Sequence, residues 1–291
     1  MTKYSFSQVD VFGSEPLTGN PVAVVHDATG LDDAQMAAFA RWTNLSETTF
    51  LLPPRDSSAD YRLRIFTPLK ELPFAGHPTL GSAHAWLGAG GVPAREGRIV
   101  QECGVGLVEL QRQDADLAFR APDLLRAGAA DAATLKQAVG ALGIDESRVV
   151  RSNWIDNGPG WLGLQLVSAD DVVALRPDFV TMRGLEIGII GPHDANLRGS
   201  IGADYEVRAF CPSYAVPEDP VTGSLNAGFA VWLTRGGHVP ANYVARQGTV
   251  MGRDGRVTIR TDDVGDIWVG GPCRTLVVGS LTLAAMPVRS A

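Results

Sequence analysis

Two stretches of this chain, Tyr61-Arg62-Leu63-Arg64-Ile65-Phe66-Thr67-Pro68 and Tyr205-Glu206-Val207-Arg208-Ala209-Phe210-Cys211-Pro212, share Tyr, Arg, Phe and Pro at matching places. A second pair follows. His77-Pro78-Thr79-Leu80-Gly81-Ser82-Ala83-His84-Ala85 and Asp219-Pro220-Val221-Thr222-Gly223-Ser224-Leu225-Asn226-Ala227 share Pro, Gly, Ser and the final Ala. His77 and Asp219 lie 142 residues apart, as do Gly81 and Gly223. Each copy reads as a strand, a loop and a helix opening, closed by a glycine-rich exit at Gly88–Gly91 or Gly236-Gly237. A period this long is no solenoid repeat of about 20–50 residues. It implies duplication of a whole lobe.

Working outward, Tyr4–Phe12 alternates and Asn20–His26 is an apolar run, so both read as strands. Leu31-Asp32-Asp33 opens a helix to Trp42, with Met36, Phe39 and Ala40 at helical spacing. Thr48–Leu52 and Tyr61–Phe66 return to strand, and Pro78–Leu87 reads as a helix with Pro at its first position. Ile99–Leu110 and Leu117–Phe119 are strand-like. The Ala-rich segment from Ala127 to Leu142 mixes linker and helix near the middle. We therefore expect an α+β protein with lobes at 1–125 and 126–291, the C-terminal strand being free to pack back on the first lobe.

The chain has 291 residues, a formal net charge of −7 and 45% hydrophobic residues. That is ample core for one or two domains. No apolar run approaches the ~18 residues that span a bilayer. The N-terminus shows no signal-peptide core, so a cytoplasmic protein is expected. Lys and Arg form no basic run, which argues against nucleic acid as a partner. A small anionic substrate fits an acidic protein whose pocket is locally positive. Three cysteines, Cys103, Cys211 and Cys273, lack CxxC spacing and suggest neither a disulfide framework nor a zinc site. They read as small buried hydrophobes. Neither a Walker loop nor a GxGxxG after a strand is present. No metal or other cofactor is expected.

The residues with chemical potential have plain readings as well. Asp219 before Pro220 is a good N-cap. His77 before Pro78 is a poor one, which leaves a structural histidine or an acid–base role. Two facing helix starts would offer unpaired N–H groups to a carboxylate, with glycine and serine in the first turn allowing close approach. Glu47, in Asn44-Leu45-Ser46-Glu47-Thr48-Thr49-Phe50, reads as a polar strand opening or the end of a capping pattern. Half-buried among Leu45, Phe50 and Leu51, it would also have a raised pKa, suited to taking and giving a proton. Asn20-Pro21 and Asn157-Gly158-Pro159 are turn chemistry, or asparagines at a cleft.

At these residues the chain resembles the PhzF-like family of phenazine-biosynthesis isomerases. The matching pieces are Gly19-Asn20-Pro21-Val22-Ala23-Val24, Leu45–Phe50, Arg64–Pro68, Glu71–Gly81, Glu218–Ser224, and Gln247-Gly248 through Met251-Gly252-Arg253. The resemblance implies a diaminopimelate epimerase-like fold, two pseudo-symmetric lobes that are each a β-barrel-like sheet around a central helix. It also implies cofactor-independent proton transfer on a small carboxylate and a homodimer. It assigns catalysis to Glu47, His77 and Asp219. Substrate contacts are expected from Asn20, Ser46, Gly76, Gly81, Ser82, Gly223 and Ser224. The turns at Ala75-Gly76-His77 and Pro217-Glu218-Asp219 hold no cysteine, which disfavours a two-thiol racemase. The expected activity is an isomerase acting on a cyclic amino- or hydroxy-carboxylate. The alternatives are a lyase or epimerase on this fold, or a non-catalytic binding protein.

Overall fold

Alternation in Tyr61–Phe66 turns Tyr61, Leu63 and Ile65 into the core and leaves Arg62 and Arg64 half-exposed. The duplicate, Tyr205–Cys211, is buried throughout because a short helix covers its outer face. Arg208 is buried there by virtue of a bidentate pair with Glu218, whose Oε1 and Oε2 lie 2.8 Å from Nε and Nη2. Arg64 makes the same fork to Glu71. The repeated Arg therefore latches the hairpin that leads into each central helix, and this explains why both copies keep it.

The computed structural model describes residues 1–113, 116–214 and 216–283. The first half contains β1 (Thr2–Val11), β2 (Asn20–Val25), α1 (Asp33–Thr43), β3 (Glu47–Leu52), β4 (Tyr61–Phe66), β5 (Glu71–Leu72), α2 (Gly76–Gly88), β6 (Arg98–Cys103), β7 (Gly106–Gln113) and β8 (Asp116–Arg120). The second contains β9 (Arg126–Gly128), α3 (Ala132–Leu142), β10 (Val149–Asp156), β11 (Trp161–Leu166), α4 (Ala169–Ala174), β12 (Glu186–Pro192) and α5 (Arg198–Ile201). It continues through β13 (Tyr205–Cys211), β14 (Val216–Asp219), α6 (Gly223–Arg235), β15 (Tyr243–Gln247), β16 (Gly255–Thr261), β17 (Ile267–Gly271) and β18 (Cys273–Leu283).

The two halves pair their strands in the same order. From β1 to β2 to β3 to β4 to β6 to β7 to β8 the pairings run antiparallel, parallel, antiparallel, parallel, antiparallel, antiparallel. From β10 to β11 to β12 to β13 to β15 to β16 to β17 they repeat that series. The halves join where β8 meets β17, Phe119 opposite Val269. Strand β9 adds to β10, and β18 runs along β1 from Leu283 opposite Thr2 to Cys273 opposite Val11. Each sheet wraps its own helix, α2 or α6, which is apolar on nearly every side and buried from its first turn.

Helix boundaries correct the register read from sequence. Helix α2 starts at Gly76 with Ala75 as N-cap, and α6 at Gly223 with Thr222 as N-cap. Pro78 is thus in the third helical position, and Pro220 lies outside the helix. The structural match pairs Glu71-Leu72-Pro73 with Glu218-Asp219-Pro220, and Gly76-His77 with Gly223-Ser224. His77 is therefore the counterpart of Ser224, and Asp219 of Leu72. Four residues separate Phe66 from its partner Glu71 and seven separate Phe210 from its partner Glu218, and the extra residues produce the slip.

The two helix ends touch. A Cβ on Gly223 would sit 2.8 Å from Gly76 Cα and 2.9 Å from the His77 nitrogen, and one on Gly76 would sit 2.7 Å from Gly223 Cα. These neighbours are backbone and cannot rotate away. Gly223→Ala should cost about 1–3 kcal/mol in denaturant unfolding through this overpacking. Gly199→Ala, at a site with open space around it, should stay within about 0.5 kcal/mol of the parent.

Candidate active site

Gly76, His77, Gly223 and Ser224 occupy the first two positions of their helices, so their N–H groups have no intrahelical acceptor. Neither N-cap supplies a side-chain hydrogen bond. All four residues line a cleft between the lobes, facing Glu47 and Ser46 from one side and Asp219, Trp161 and Cys211 from the other. Glu47 reaches it as the first residue of β3, just past the left-handed exit of α1 at Asn44 (φ 53). Asp219 arrives at the end of β14.

Asp219 is held from three directions. Thr222 Oγ1 donates to Oδ2 at 2.6 Å, while Asn20 Nδ2 and Ser46 Oγ donate to Oδ1 at 2.9 and 3.1 Å. Burial raises its pKa, and these three donors oppose the rise by favouring the ionised form. Glu47 has no such set of donors. Burial first, and the neighbouring Asp219 charge second, push its carboxyl well above the usual range. Where two buried carboxyls feel each other's charge, one proton belongs to the pair. The donors around Asp219 place it on Glu47.

His77 Nε2 lies 3.3 Å from Glu47 Oε2, yet the two are not aligned for a hydrogen bond and neither atom has another partner. This is not an ion pair, because burial lowers the imidazole pKa to about 3. The Asn20 amide points at His77 Nδ1 from 3.3 Å. The two amide hydrogens go to Asp219 Oδ1 and the Val221 carbonyl, and an amide nitrogen offers Nδ1 no acceptor, so the ring proton is assigned to Nε2, aimed at the cleft.

Seven expected site residues therefore come together at the cleft: Glu47, His77, Asp219, Ser46, Gly76, Gly223 and Ser224. Three do not line it. Asn20 is fully buried behind His77 and Asp219, where its amide also donates to the Val221 carbonyl. Gly81 and Ser82 sit a turn deeper in α2. A Cβ on Gly81 would strike Val22 Cγ1 at 2.4 Å, and Ser82 Oγ pairs with Thr49 Oγ1 at 2.9 Å. They hold the helix in its barrel.

The structure adds residues that sequence reasoning missed. Trp161 Nε1 donates to Ser224 Oγ at 3.1 Å. Gln247 donates to Thr222 Oγ1 and the Asp219 carbonyl, tying the acid to β15. Glu186 is the second lobe's counterpart of Glu47, since it registers with Trp161 on β11 as Glu47 registers with Val22 on β2. Its one visible signal was a glutamate opening each strand. Cys211 lines the cleft opposite its repeat equivalent Thr67. Burial raises its thiol, which donates to the Val216 carbonyl at 3.2 Å. Among the described residues, no group of three or more His, Cys, Asp or Glu side chains could hold a metal ion.

Paired barrels meeting at their helix ends define the diaminopimelate epimerase-like fold. The profile of the family described as phenazine biosynthesis-like protein matches residues 9–277. Trans-2,3-dihydro-3-hydroxyanthranilate isomerase of Pseudomonas fluorescens is 37% identical, over 86% of this chain and 87% of that one. Antisense-enhancing sequence 1 of Schizosaccharomyces pombe is 37% identical over 96% of this chain and 99% of its own. The crystal structure of a PhzF-family phenazine biosynthesis protein from Enterococcus faecalis superposes with a TM-score of 0.78 at 25% identity, covering 97% of this chain and 100% of that one. The chain belongs to the phenazine biosynthesis-like, or PhzF-like, family, a family of isomerases.

Burial of Glu47 has a measurable cost. Its folded pKa lies above the ordinary 4.5, so the folded state binds the proton more tightly. The group's favourable contribution is complete below 4.5 and is lost as pH rises through the folded value. Glu47→Gln keeps the neutral shape. Its melting temperature should match the parent near pH 4 and exceed it increasingly toward pH 8. His77, in turn, should show no imidazole titration by proton NMR between about pH 5 and 8.

Proposed function

We propose that the cleft isomerises a small cyclic amino- or hydroxy-carboxylate by moving a proton from one carbon to another without a cofactor. The observation that carries this reading is Glu47, a desolvated carboxyl 3.3 Å from a neutral imidazole, set between two uncapped helix ends. The substrate carboxylate lies on the N–H groups of Gly76, His77, Gly223 and Ser224, where the helix dipoles favour an anion. Glu47 rests as the acid; after it releases that proton to solvent, its carboxylate takes a proton from one carbon. The C–H electron pair spreads into the adjoining unsaturated system. Protonated Glu47 then returns the proton to a second carbon, and the double bond has moved with no net oxidation.

A raised pKa suits both steps, since the carboxylate is a stronger base and the acid is matched to neutral pH. His77 Nε2–H stabilises the negative charge that builds between them. Asp219 keeps Ser46 and Thr222 in place and adds to the proton affinity that burial gives Glu47. The opposition of Cys211 to Thr67 supports a single-base isomerisation over a two-thiol epimerisation. Family resemblance supports a homodimer. Among the described residues no helix is long and apolar enough to cross a membrane.

The test is proton NMR in D2O with trans-2,3-dihydro-3-hydroxyanthranilate and a panel of cyclic amino and hydroxy acids. The parent enzyme should show double-bond migration with deuterium uptake on a panel member. Glu47→Gln should lose about 10²–10⁴-fold in rate while still binding. Migration that survives in Glu47→Gln would move the base elsewhere. Tight binding without turnover would overturn the isomerase.

A further inference from the structure

Away from the cleft, β13 carries a carboxylate that neither the catalytic reading nor the duplication explains. The side chain of Glu206 is 1% exposed, and neither of its oxygens has a hydrogen-bond partner. His193 Nε2 lies 3.3 Å from Glu206 Oε2 without hydrogen-bond geometry and is also unpartnered. Thr249 faces the same carboxyl and favours its ionised form, but its Oγ1 is not aligned for a full hydrogen bond and has no other partner. Buried polar atoms are nearly always satisfied. Here four of them converge on one pocket, walled by the first turn of α4, residues 192–201 and the end of β15. None of the residues lining it lines the catalytic cleft. The first lobe offers no copy, since the counterpart of Glu206 is the half-exposed Arg62. The fold itself therefore does not demand a carboxylate at this position.

The chemistry of the wall selects a ligand. Glu206 and Thr249 present acceptors at the base of the pocket, and Asp170 adds a second carboxylate from α4. Arg198 and Arg246 line the same pocket. Their Nε atoms are engaged by the His193 carbonyl at 3.2 Å and by Asp254 Oδ1 at 2.7 Å, which fixes both guanidiniums. Acceptors that suit an ammonium thus stand beside guanidiniums that suit a carboxylate. The donor set is too small for a metal ion. We propose that this pocket binds a free α-amino acid, its ammonium on Glu206 and Thr249 and its carboxylate on Arg198 and Arg246.

Burial pushes the Glu206 carboxyl up to about 7, so the experiment belongs near pH 8, where the group is ionised. The full-length ¹⁵N-labelled protein is titrated with pools of the standard amino acids and followed by amide spectra. At least one pool should shift the amides of His193, Glu206, Arg246 and Thr249 and leave those of Gly76 and Gly223 in place. By calorimetry, Glu206→Gln and Arg246→Ala should each weaken the selected amino acid about tenfold or more. Methylammonium and acetate alone should each bind at least about tenfold more weakly than the amino acid. Thr249→Val, a near-isosteric change, gives an independent loss of affinity if Glu206→Gln does not fold. Silence from every pool, shifts confined to the cleft, or unchanged affinity in a folded Glu206→Gln or Thr249→Val protein would each overturn the proposal. Methylammonium binding as tightly as the amino acid would overturn it too.

Discussion

Everything at the cleft depends on two glycines in contact. Gly76 and Gly223 open the central helices of the two barrels, and each would drive a Cβ into the other's backbone. Only glycine lets two helix ends approach so closely. That contact brings two sets of unpaired N–H groups to one point. It also buries what lies beside them, because apolar barrel walls surround both helix ends. Glu47, His77 and Asp219 owe their unusual proton affinities to that burial more than to one another.

The three groups illustrate how environment divides roles among ionisable side chains. Burial alone would neutralise both acids and the imidazole. Asp219 escapes in part because Asn20, Ser46 and Thr222 donate to it, and Thr222 is itself fixed by Gln247. Glu47 has no comparable support and keeps its proton. The imidazole stays neutral and offers a donor without a charge. One carboxylate, one carboxylic acid and one neutral ring thus coexist in one cleft, an arrangement suited to proton transfer without a metal.

Much of this was legible in the amino-acid sequence, and the failures have physical causes. Alternation in Tyr61–Phe66 and the duplicated Tyr, Arg, Phe and Pro are local signals, and the strands follow them. The helix register slipped because Pro78 and Pro220 look like first-turn prolines, whereas the second hairpin carries seven residues between Phe210 and Glu218 where the first carries four between Phe66 and Glu71. Gly81 resembled Gly223 in its motif but packs on Val22 deep in the barrel. Trp161, Gln247 and Glu186 reach the site region through strand pairing between distant segments, which no local pattern carries. Asn20 was visible as a site residue, but its place behind the cleft depends on Asp219 and His77 arriving from two different lobes.

The pairing of β8 with β17 has an evolutionary consequence. These strands hold equivalent positions in the two halves and run antiparallel, as a strand does when it meets its own copy across a two-fold axis. The exchange of β9 and β18 follows the same symmetry, each leaving one barrel's last strand to border the first strand of the other. A half-length ancestor would have been left with open sheet edges and half a cleft. Two such halves related by a two-fold axis would complete the cleft, with two identical acid–base sets at that axis. Fusion of two copies removed that equivalence. One half was then free to keep His77 where the other carries Ser224, and Leu72 where the other carries Asp219, an asymmetry that no dimer of identical chains can encode.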